Sequence, residues 1–180
     1  MKTLNLGCGT EKIDGAINVD MSEKANPDML FDISKRFPLE DETFDEVYFF
    51  HCIEHLEKFK HGFVLCEIHR VLKLGGTLYM SYPEFEKILQ CWLENRNGNR
   101  KFWEATIYGR QLYPGDYHMA AMNTLEVRQL FDDIGFKVER SFSEPHETHN
   151  TVIWAERLAR TPTYEELIYK DVFGQRELTK

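Results

Sequence analysis

Several features that mark exported, membrane-spanning or disulfide-stabilised proteins are missing from this sequence. No apolar run approaches the ~20 residues of a bilayer-spanning helix. The opening residues, MKTLNLGCG, contain no apolar stretch followed by a small-residue cleavage site. The four cysteines form no CxxC pair, so reduced thiols are expected. These absences predict a cytoplasmic protein without a membrane span.

Basic residues are also scarce. The chain has 22 Lys and Arg against 30 Asp and Glu, a net charge of -8, whereas proteins that bind a nucleic-acid backbone cluster Lys and Arg on one face. A nucleic acid is therefore not expected as the main partner. Hydrophobic residues make up 42% of the 180 positions, which is enough for one domain that buries about 70% of its unfolded surface.

Helical and β-rich segments alternate along the chain, which predicts an α/β fold built on a mostly parallel sheet. A helix over Phe63–Leu72 should stop at a Gly-Gly pair that leads into the fifth strand. A second helix, Leu125–Ile134, has Asn123 or Thr124 as its N-cap and Gly135 as its stop. The first five predicted strands are Thr3–Leu6, Ala16–Val19, Met29–Phe31, Val47–Phe50 and Thr77–Tyr82.

The last two predicted strands, Lys137–Phe142 and Thr151–Glu156, are separated only by the turn His146–Asn150. A connection this short joins antiparallel strands, so the sheet should be mixed at one edge. We expect one domain over residues 1–160. An insertion at about 84–122, rich in aromatic and polar residues, is a candidate lid, and residues 161–180 form a tail with a weak helical pattern.

A glycine loop follows the first predicted strand. Gly7 and Gly9 permit a tight turn and let a ligand approach the backbone, and ligands of open α/β sheets bind at this edge. Asp20 ends the second strand, where a carboxylate can accept both hydroxyls of an adenosine ribose. The dinucleotide fingerprint GxGxxG is incomplete because Lys12 stands at its third glycine. The pattern favours an adenosine cofactor without a pyrophosphate.

The segments LNLGCG, INVD, FDISKRFPLEDETFDEVYFFHCIEHL, EIHRVLKLGGTLYMSYPE and GDYHMAAMNTLEVRQLFDDIGFKVERS follow one another in this order. In this the chain resembles the class I S-adenosylmethionine-dependent methyltransferases, and specifically the short bacterial type related to ubiquinone-biosynthesis methyltransferases. The resemblance implies a three-layer Rossmann-like fold with a seven-stranded, mostly parallel sheet and an antiparallel last strand pair. It also implies S-adenosylmethionine as the cofactor.

By the same resemblance, the glycine loop would line the methionine part of the cofactor and Asp20 its ribose. Asp32 would meet the adenine amino group, with Ile33 beside the ring, and His51 would lie near the sulfonium. The residues implied at the cofactor are Gly7, Cys8, Gly9, Asp20, Met21, Asp32, Ile33 and His51. The link Thr10–Gly15 is too short for the full helix that many methyltransferases have there, so one helical turn or none is expected.

Methyl transfer from a sulfonium is an in-line displacement, in which the enzyme chiefly aligns the acceptor and excludes water. A hydroxyl or ammonium acceptor also needs a base, and His51 and His118 are the candidates. The residues expected at the acceptor are Tyr108, Gln111, Tyr113 and His118. The expected acceptor is a small molecule, a sugar or a lipid precursor, and no metal site is expected.

Three other functions stay open on the sequence. The chain could be an inactive S-adenosylmethionine-binding adaptor or sensor, or an aminopropyltransferase, although the insertion is not rich in the acidic residues that a polyamine requires. His51, Glu54 and His55 also spell HxxEH, a pattern of zinc hydrolases in which both histidines lie on one helix face. Here the motif directly follows a strand, which disfavours the hydrolase interpretation.

Overall fold

In a computed structural model that describes residues 1–96, 100–113, 115–143 and 149–158, seven strands form a single mixed sheet. The strands are β1 (Thr3–Leu6), β2 (Ile17–Asp20), β3 (Met29–Leu30), β4 (Phe44–Phe50), β5 (Leu72–Pro83), β6 (Phe136–Ser143) and β7 (Asn150–Arg157). The α-helices in these residues are α1 (His61–Val71), α2 (Phe85–Leu93), α3 (Arg100–Tyr108) and α4 (Thr124–Ile134).

The strand order is β3-β2-β1-β4-β5-β7-β6. The first five strands pair in parallel, and β7 is antiparallel to both β5 and β6. This confirms the predicted Rossmann-like fold and its antiparallel edge. Because β1, β2 and β4 are parallel neighbours, their carboxyl ends meet at one edge of the sheet, directly after Leu6, Asp20 and Phe50.

The core lies at the central strands. Leu4, Leu6, Val47 and Phe49 are fully buried, as expected for parallel strands that are covered on both faces. Helix α1 packs against α4, and α4 packs against β6. The loops at the carboxyl ends of the central strands therefore start from strands whose apolar side chains are fully buried.

The predicted starts of the fourth and fifth strands were wrong. β4 begins at Phe44 rather than at Val47. The fifth strand was expected to begin at Thr77, after the glycine pair, but β5 begins at Leu72 directly after α1. Gly75 adopts a left-handed conformation with φ +76°, and the pairing of β5 with β4 shifts register between Phe44 and Glu46. The strand thus continues through the two glycines, and its pairing with β4 has a local irregularity there of the kind that a β-bulge produces.

The ends of α4 were predicted correctly. The side chain of Asn123 accepts hydrogen bonds from the backbone N–H groups of Leu125 and Glu126, at 2.9 and 3.4 Å. Gly135 ends the helix at φ +102°, a conformation that costs glycine little. Local capping chemistry therefore fixes both ends of this helix.

The proposed insertion at 84–122 contains α2 and α3. They share a small apolar cluster of Ile88, Cys91 and Trp103. The division into a domain, a lid and a tail stays a prediction, and the tail lies outside the described residues, as do positions 144–148 of the last turn. Each helix in the described part of the chain is too short or too polar to cross a membrane.

Acid should destabilise the fold through His69, which lies on α1. The side chain is fully buried, and its ring meets Phe136 edge-on at 4.9 Å. Burial, with a contribution from the nearby Arg157 cation, lowers the pKa of His69 from 6.5 to about 4. The unfolded chain therefore takes up a proton at a pH where the folded chain does not.

The stability from His69 is complete above pH 6.5 and is lost as the pH falls towards 4. We expect the free energy of unfolding to drop by about 2 kcal/mol between about pH 7.5 and about pH 5, measured by denaturant titration. The variant His69→Leu should show a flatter pH profile. An equally steep profile in both proteins would contradict this assignment.

Candidate functional site

The glycine loop directly follows β1 at the carboxyl edge of the sheet, and two of its residues have a left-handed backbone. Gly7 has φ +66° and Gly9 has φ +49°, and the N–H of Cys8 between them donates to the carbonyl of Val19 at 2.9 Å. A Cβ on Gly7 would stand 2.4 Å from Sγ of Cys52, whereas no described atom lies within 4 Å of a Cβ on Gly9. Gly7 is therefore packed against protein, and Gly9 faces open space.

Asp20 ties the end of β2 to this loop. Its Oδ2 accepts the N–H of Gly9 at 2.9 Å, and its Oδ1 accepts the N–H of Ser22 at 2.8 Å. Each carboxylate oxygen has a second lone pair, so two acceptor positions remain for other donors. The carboxylate is thus oriented by the backbone and can still receive two hydroxyl groups.

Two buried asparagines hold the link between β1 and β2, which contains no helix over residues 10–16, all of them described. Asn5 donates from Nδ2 to Oδ1 of Asn18 and to the carbonyl of Glu11, both at 3.0 Å. Asn18 in turn accepts the N–H of Ile13 at 2.9 Å. These hydrogen bonds replace the missing helix as the support of the loop. Sequence reasoning did not identify this role, although both asparagines are polar residues within apolar strands.

Asp32 lies just beyond β3. Its Oδ1 accepts the N–H of Ser34 at 2.9 Å, and its Oδ2 lies 3.3 Å from Nζ of Lys35. Burial raises the pKa of Asp32, but the hydrogen bonds from Ser34 and the Lys35 cation outweigh burial and hold that pKa below its usual value. The neighbouring Ile33 is buried in the core, whereas Met21 is 70% exposed.

His51 directly follows β4 in a left-handed conformation, φ +47°. Its Nδ1 faces Oε1 of Glu54 at 3.5 Å, and Asn150 lies 3.5 Å from its Nε2. Glu54 is only 1% exposed, in a short 3-10 helix, Ile53–His55. The two histidines of HxxEH therefore do not share an α-helical face, which removes the geometric basis of the zinc-hydrolase interpretation.

The loop over residues 109–120 folds around a buried carboxylate. Asp116 accepts the N–H of Leu112 at 3.1 Å and pairs with Arg110 at 3.3 Å. Gly109 is required here, because a Cβ on it would meet the carbonyl of Asp116 at 1.9 Å. Asp116 was not assigned a structural role from the sequence, where it resembles any loop aspartate.

This loop also docks on the end of β4. The N–H groups of Met119 and Ala120 donate to the carbonyl of Glu54 at 2.7 and 3.3 Å, and Nδ1 of His55 lies 2.9 Å from the carbonyl of Tyr117. The rings of His55 and His118 are 4.8 Å apart, edge to face. Burial is the main reason that the pKa of His118 is lowered. The neighbouring histidines also lower this pKa, whereas the negative charge of Glu54 raises it, and the net shift is downward.

The structure brings several of the predicted site residues together. The glycine loop is hydrogen-bonded to Asp20, and both His51 and His118 have a ring nitrogen near the carboxylate of Glu54. Of the residues expected at the acceptor, Tyr108 and Tyr113 are 59% and 56% exposed, and Gln111 has a left-handed backbone at φ +58°. The glycine loop, through Gly7 at Cys52, and the loop over residues 109–120, through its hydrogen bonds to Glu54, thus both lie against the segment that follows β4.

The comparison with protein families agrees with this geometry. The family model described as a methyltransferase domain matches residues 4–80, the segment from β1 into β5 that holds the glycine loop, Asp20, Asp32 and His51. No curated protein matches the chain in sequence.

Solved structures share the fold. An S-adenosylmethionine-dependent methyltransferase from Methanosarcina mazei aligns with a TM-score of 0.65 and 16% identity, over 88% of this chain and 93% of that one. One from Mesorhizobium loti gives 0.61 and 18%, over 87% and 90%. A chain of the complex between the Haloferax volcanii activator Trm112 and a methyltransferase gives 0.62 and 16%, over 88% and 83%.

The family match identifies residues 4–80 as similar to a methyltransferase domain, and the strand order is part of the fold that this chain shares with solved S-adenosylmethionine-dependent methyltransferases. Both comparisons support an enzyme that uses S-adenosylmethionine as its cofactor.

Proposed function

We propose that the chain transfers the methyl group of S-adenosylmethionine to a small-molecule acceptor, such as a sugar or a lipid precursor, bound between His51 and the loop over residues 109–120. The docking of that loop on Glu54 carries the proposal, because it holds His118 beside the end of β4. The net charge of -8 supports an acceptor other than a nucleic acid.

The residues present fit the cofactor. Gly9 leaves its backbone open to a ligand, and the oriented carboxylate of Asp20 has two free acceptor positions for the ribose hydroxyls. Asp32, ionised by its surroundings, accepts from the adenine amino group. In this proposal Gly7, Cys8 and Gly9 contact the methionine part through their backbone, since the Cys8 side chain is buried. Met21 and Ile33 lie next to the two aspartates along the chain.

When bound, S-adenosylmethionine supplies a methyl group on a positively charged sulfur. The chain aligns the acceptor for in-line attack and excludes water. His51 is the proposed base. A carboxylate only accepts hydrogen bonds, so the Nδ1 that faces Glu54 carries the proton. The nitrogen that takes the proton of the acceptor is then Nε2, once the acceptor displaces the amide of Asn150 that lies 3.5 Å from it. Glu54 then stabilises the protonated ring, and His118 is the second candidate base.

Replacing His51 should lower turnover and leave cofactor affinity nearly intact. We expect a fall of about a hundredfold or more, the usual contribution of a general base. Because His51 is left-handed, His51→Asn is the matched partner of His51→Ala, since asparagine tolerates this conformation. Turnover of the true acceptor is measured beside isothermal titration with S-adenosylmethionine. Wild-type turnover in both variants would remove His51 from the mechanism.

The acceptor class is tested by S-adenosylhomocysteine formation in a cell extract separated by size. We expect product with the small-molecule fraction. Product only with the protein or RNA fraction would contradict the proposed acceptor. A protein that binds the cofactor and forms no product with any fraction would instead be an inactive adaptor or sensor.

A further inference from the structure

We propose that Glu54, His55 and His118 form a binding site for a first-row divalent transition-metal ion such as Zn²⁺. One potential ligand atom from each residue lies within 4.8 Å of the other two. The ligands come from two segments, the 3-10 helix Ile53–His55 and the loop over residues 109–120. A bound ion would therefore link the loop to the end of β4.

His55 is oriented as a metal ligand usually is. Its Nδ1 lies 2.9 Å from the carbonyl of Tyr117. A carbonyl oxygen can only accept, so this ring must donate from Nδ1 and keep a lone pair on Nε2. Metal-bound histidines typically donate their second N–H to a carbonyl or carboxylate in this way.

Glu54 supplies independent support for a cation. The residue is 1% exposed, and its Oε2 finds no hydrogen-bond partner among the residues that the structure describes. A buried, unpartnered carboxylate oxygen is costly unless a charge compensates it. An ion placed among Glu54 and the two imidazoles provides that charge.

The ligand set indicates the kind of ion. Two imidazoles and one carboxylate are the three protein ligands of many catalytic zinc sites, which keep a further position open, and the same set suits iron(II). Ligand bonds of about 2.0–2.2 Å require the three atoms to move closer than their present separation. A small rotation of the imidazole side chains can provide this movement, while the backbone beside His118 stays bonded to the carbonyl of Glu54 through Met119 and Ala120.

This site differs from the HxxEH pattern in the sequence, since His118 takes the place of His51. It also revises the expectation of a protein without metal. The metal site itself does not rest on the proposed function.

The test is titration of the purified, metal-stripped protein with Zn²⁺ and Co²⁺, followed by calorimetry and Co²⁺ absorption, without S-adenosylmethionine. We expect one equivalent to bind, with a cobalt spectrum free of thiolate charge transfer. Glu54→Gln and His118→Ala should each weaken binding by about tenfold or more, because even the partners of metal ligands contribute 10–100-fold. Circular dichroism of the metal-free variants checks that they fold.

Glu57→Gln and Met119→Ala are the matched controls, since both residues are exposed neighbours of the proposed ligands. They should bind the ion as the wild type does. No binding by the wild type, equal binding by all variants, or a thiolate band from a cysteine would each overturn the site. A separate titration with S-adenosylmethionine distinguishes failure of the metal site from failure of cofactor binding.

Discussion

Changing Asp20 to Ala should weaken the binding of S-adenosylmethionine by about tenfold to about a hundredfold. Hydrogen bonds to a charged group contribute about 1.5–3 kcal/mol, and 1.4 kcal/mol is a tenfold change in affinity. The substitution removes the proposed ribose acceptor and also the partner of the Gly9 and Ser22 amides. The loss therefore includes both a contact and the orientation of the loop.

Two further variants make this prediction specific. Asp20→Asn keeps the shape and one oxygen acceptor, so its affinity should fall between the wild type and Asp20→Ala. Asp14→Ala, at an exposed aspartate in the nearby link, should bind the cofactor normally. Isothermal titration gives all four affinities, and unchanged affinity in Asp20→Ala would reject the ribose assignment.

The two glycines of the loop should respond differently to the same added methyl group. Gly7→Ala places a Cβ 2.4 Å from Sγ of Cys52 at a left-handed φ. The left-handed conformation costs about 1–2 kcal/mol and the overpacking about 1–3 kcal/mol. We expect a loss of about 2–5 kcal/mol in the free energy of unfolding, measured by denaturant titration.

Gly9→Ala meets no described atom within 4 Å, so it should lose only about 1–2 kcal/mol of stability. Its methyl group instead occupies the open face, and cofactor affinity should fall about tenfold or more, because close approach to the backbone is what glycine permits there. Equal stability losses at Gly7 and Gly9 would contradict the different surroundings described for them.

Removing the sulfur of Cys52 provides a rescue test. In the double variant Gly7→Ala with Cys52→Ala, the contact at 2.4 Å disappears and a contact with Cβ at 3.1 Å remains. We expect the second substitution to recover about 1–2 kcal/mol of the overpacking cost. If it recovers none, the stability loss of Gly7→Ala has a cause other than Cys52.

The fold was largely predictable because its signals are local. Apolar runs ending at a glycine or an acidic residue identify β1 and β2, and Asn123 and Gly135 mark α4 through capping chemistry. The pairing of β6 with β7 followed from the few residues between them. The start of β5 was wrong because a glycine pair usually ends an element, and only the register with β4 shows that the strand continues.

The residues of the candidate site could be proposed from the sequence only where a single segment of the chain carries a recognisable motif. The glycine loop and Asp20 lie at successive strand ends, so their hydrogen bond follows from the parallel sheet. The packing of Cys52 on Gly7 and the meeting of Glu54 with His118 depend on contacts between distant segments. No local periodicity encodes such contacts, and the support of the 10–16 link by Asn5 and Asn18 is of the same kind.

The most direct test of the account is a crystal structure of the protein with S-adenosylhomocysteine. We expect the ribose hydroxyls to lie within hydrogen-bonding distance of the Asp20 carboxylate, the chain of the homocysteine to cross the backbone at Gly9, and its sulfur to face His51. A ligand bound elsewhere, with Asp20 contacting only the amides of Gly9 and Ser22, would contradict it.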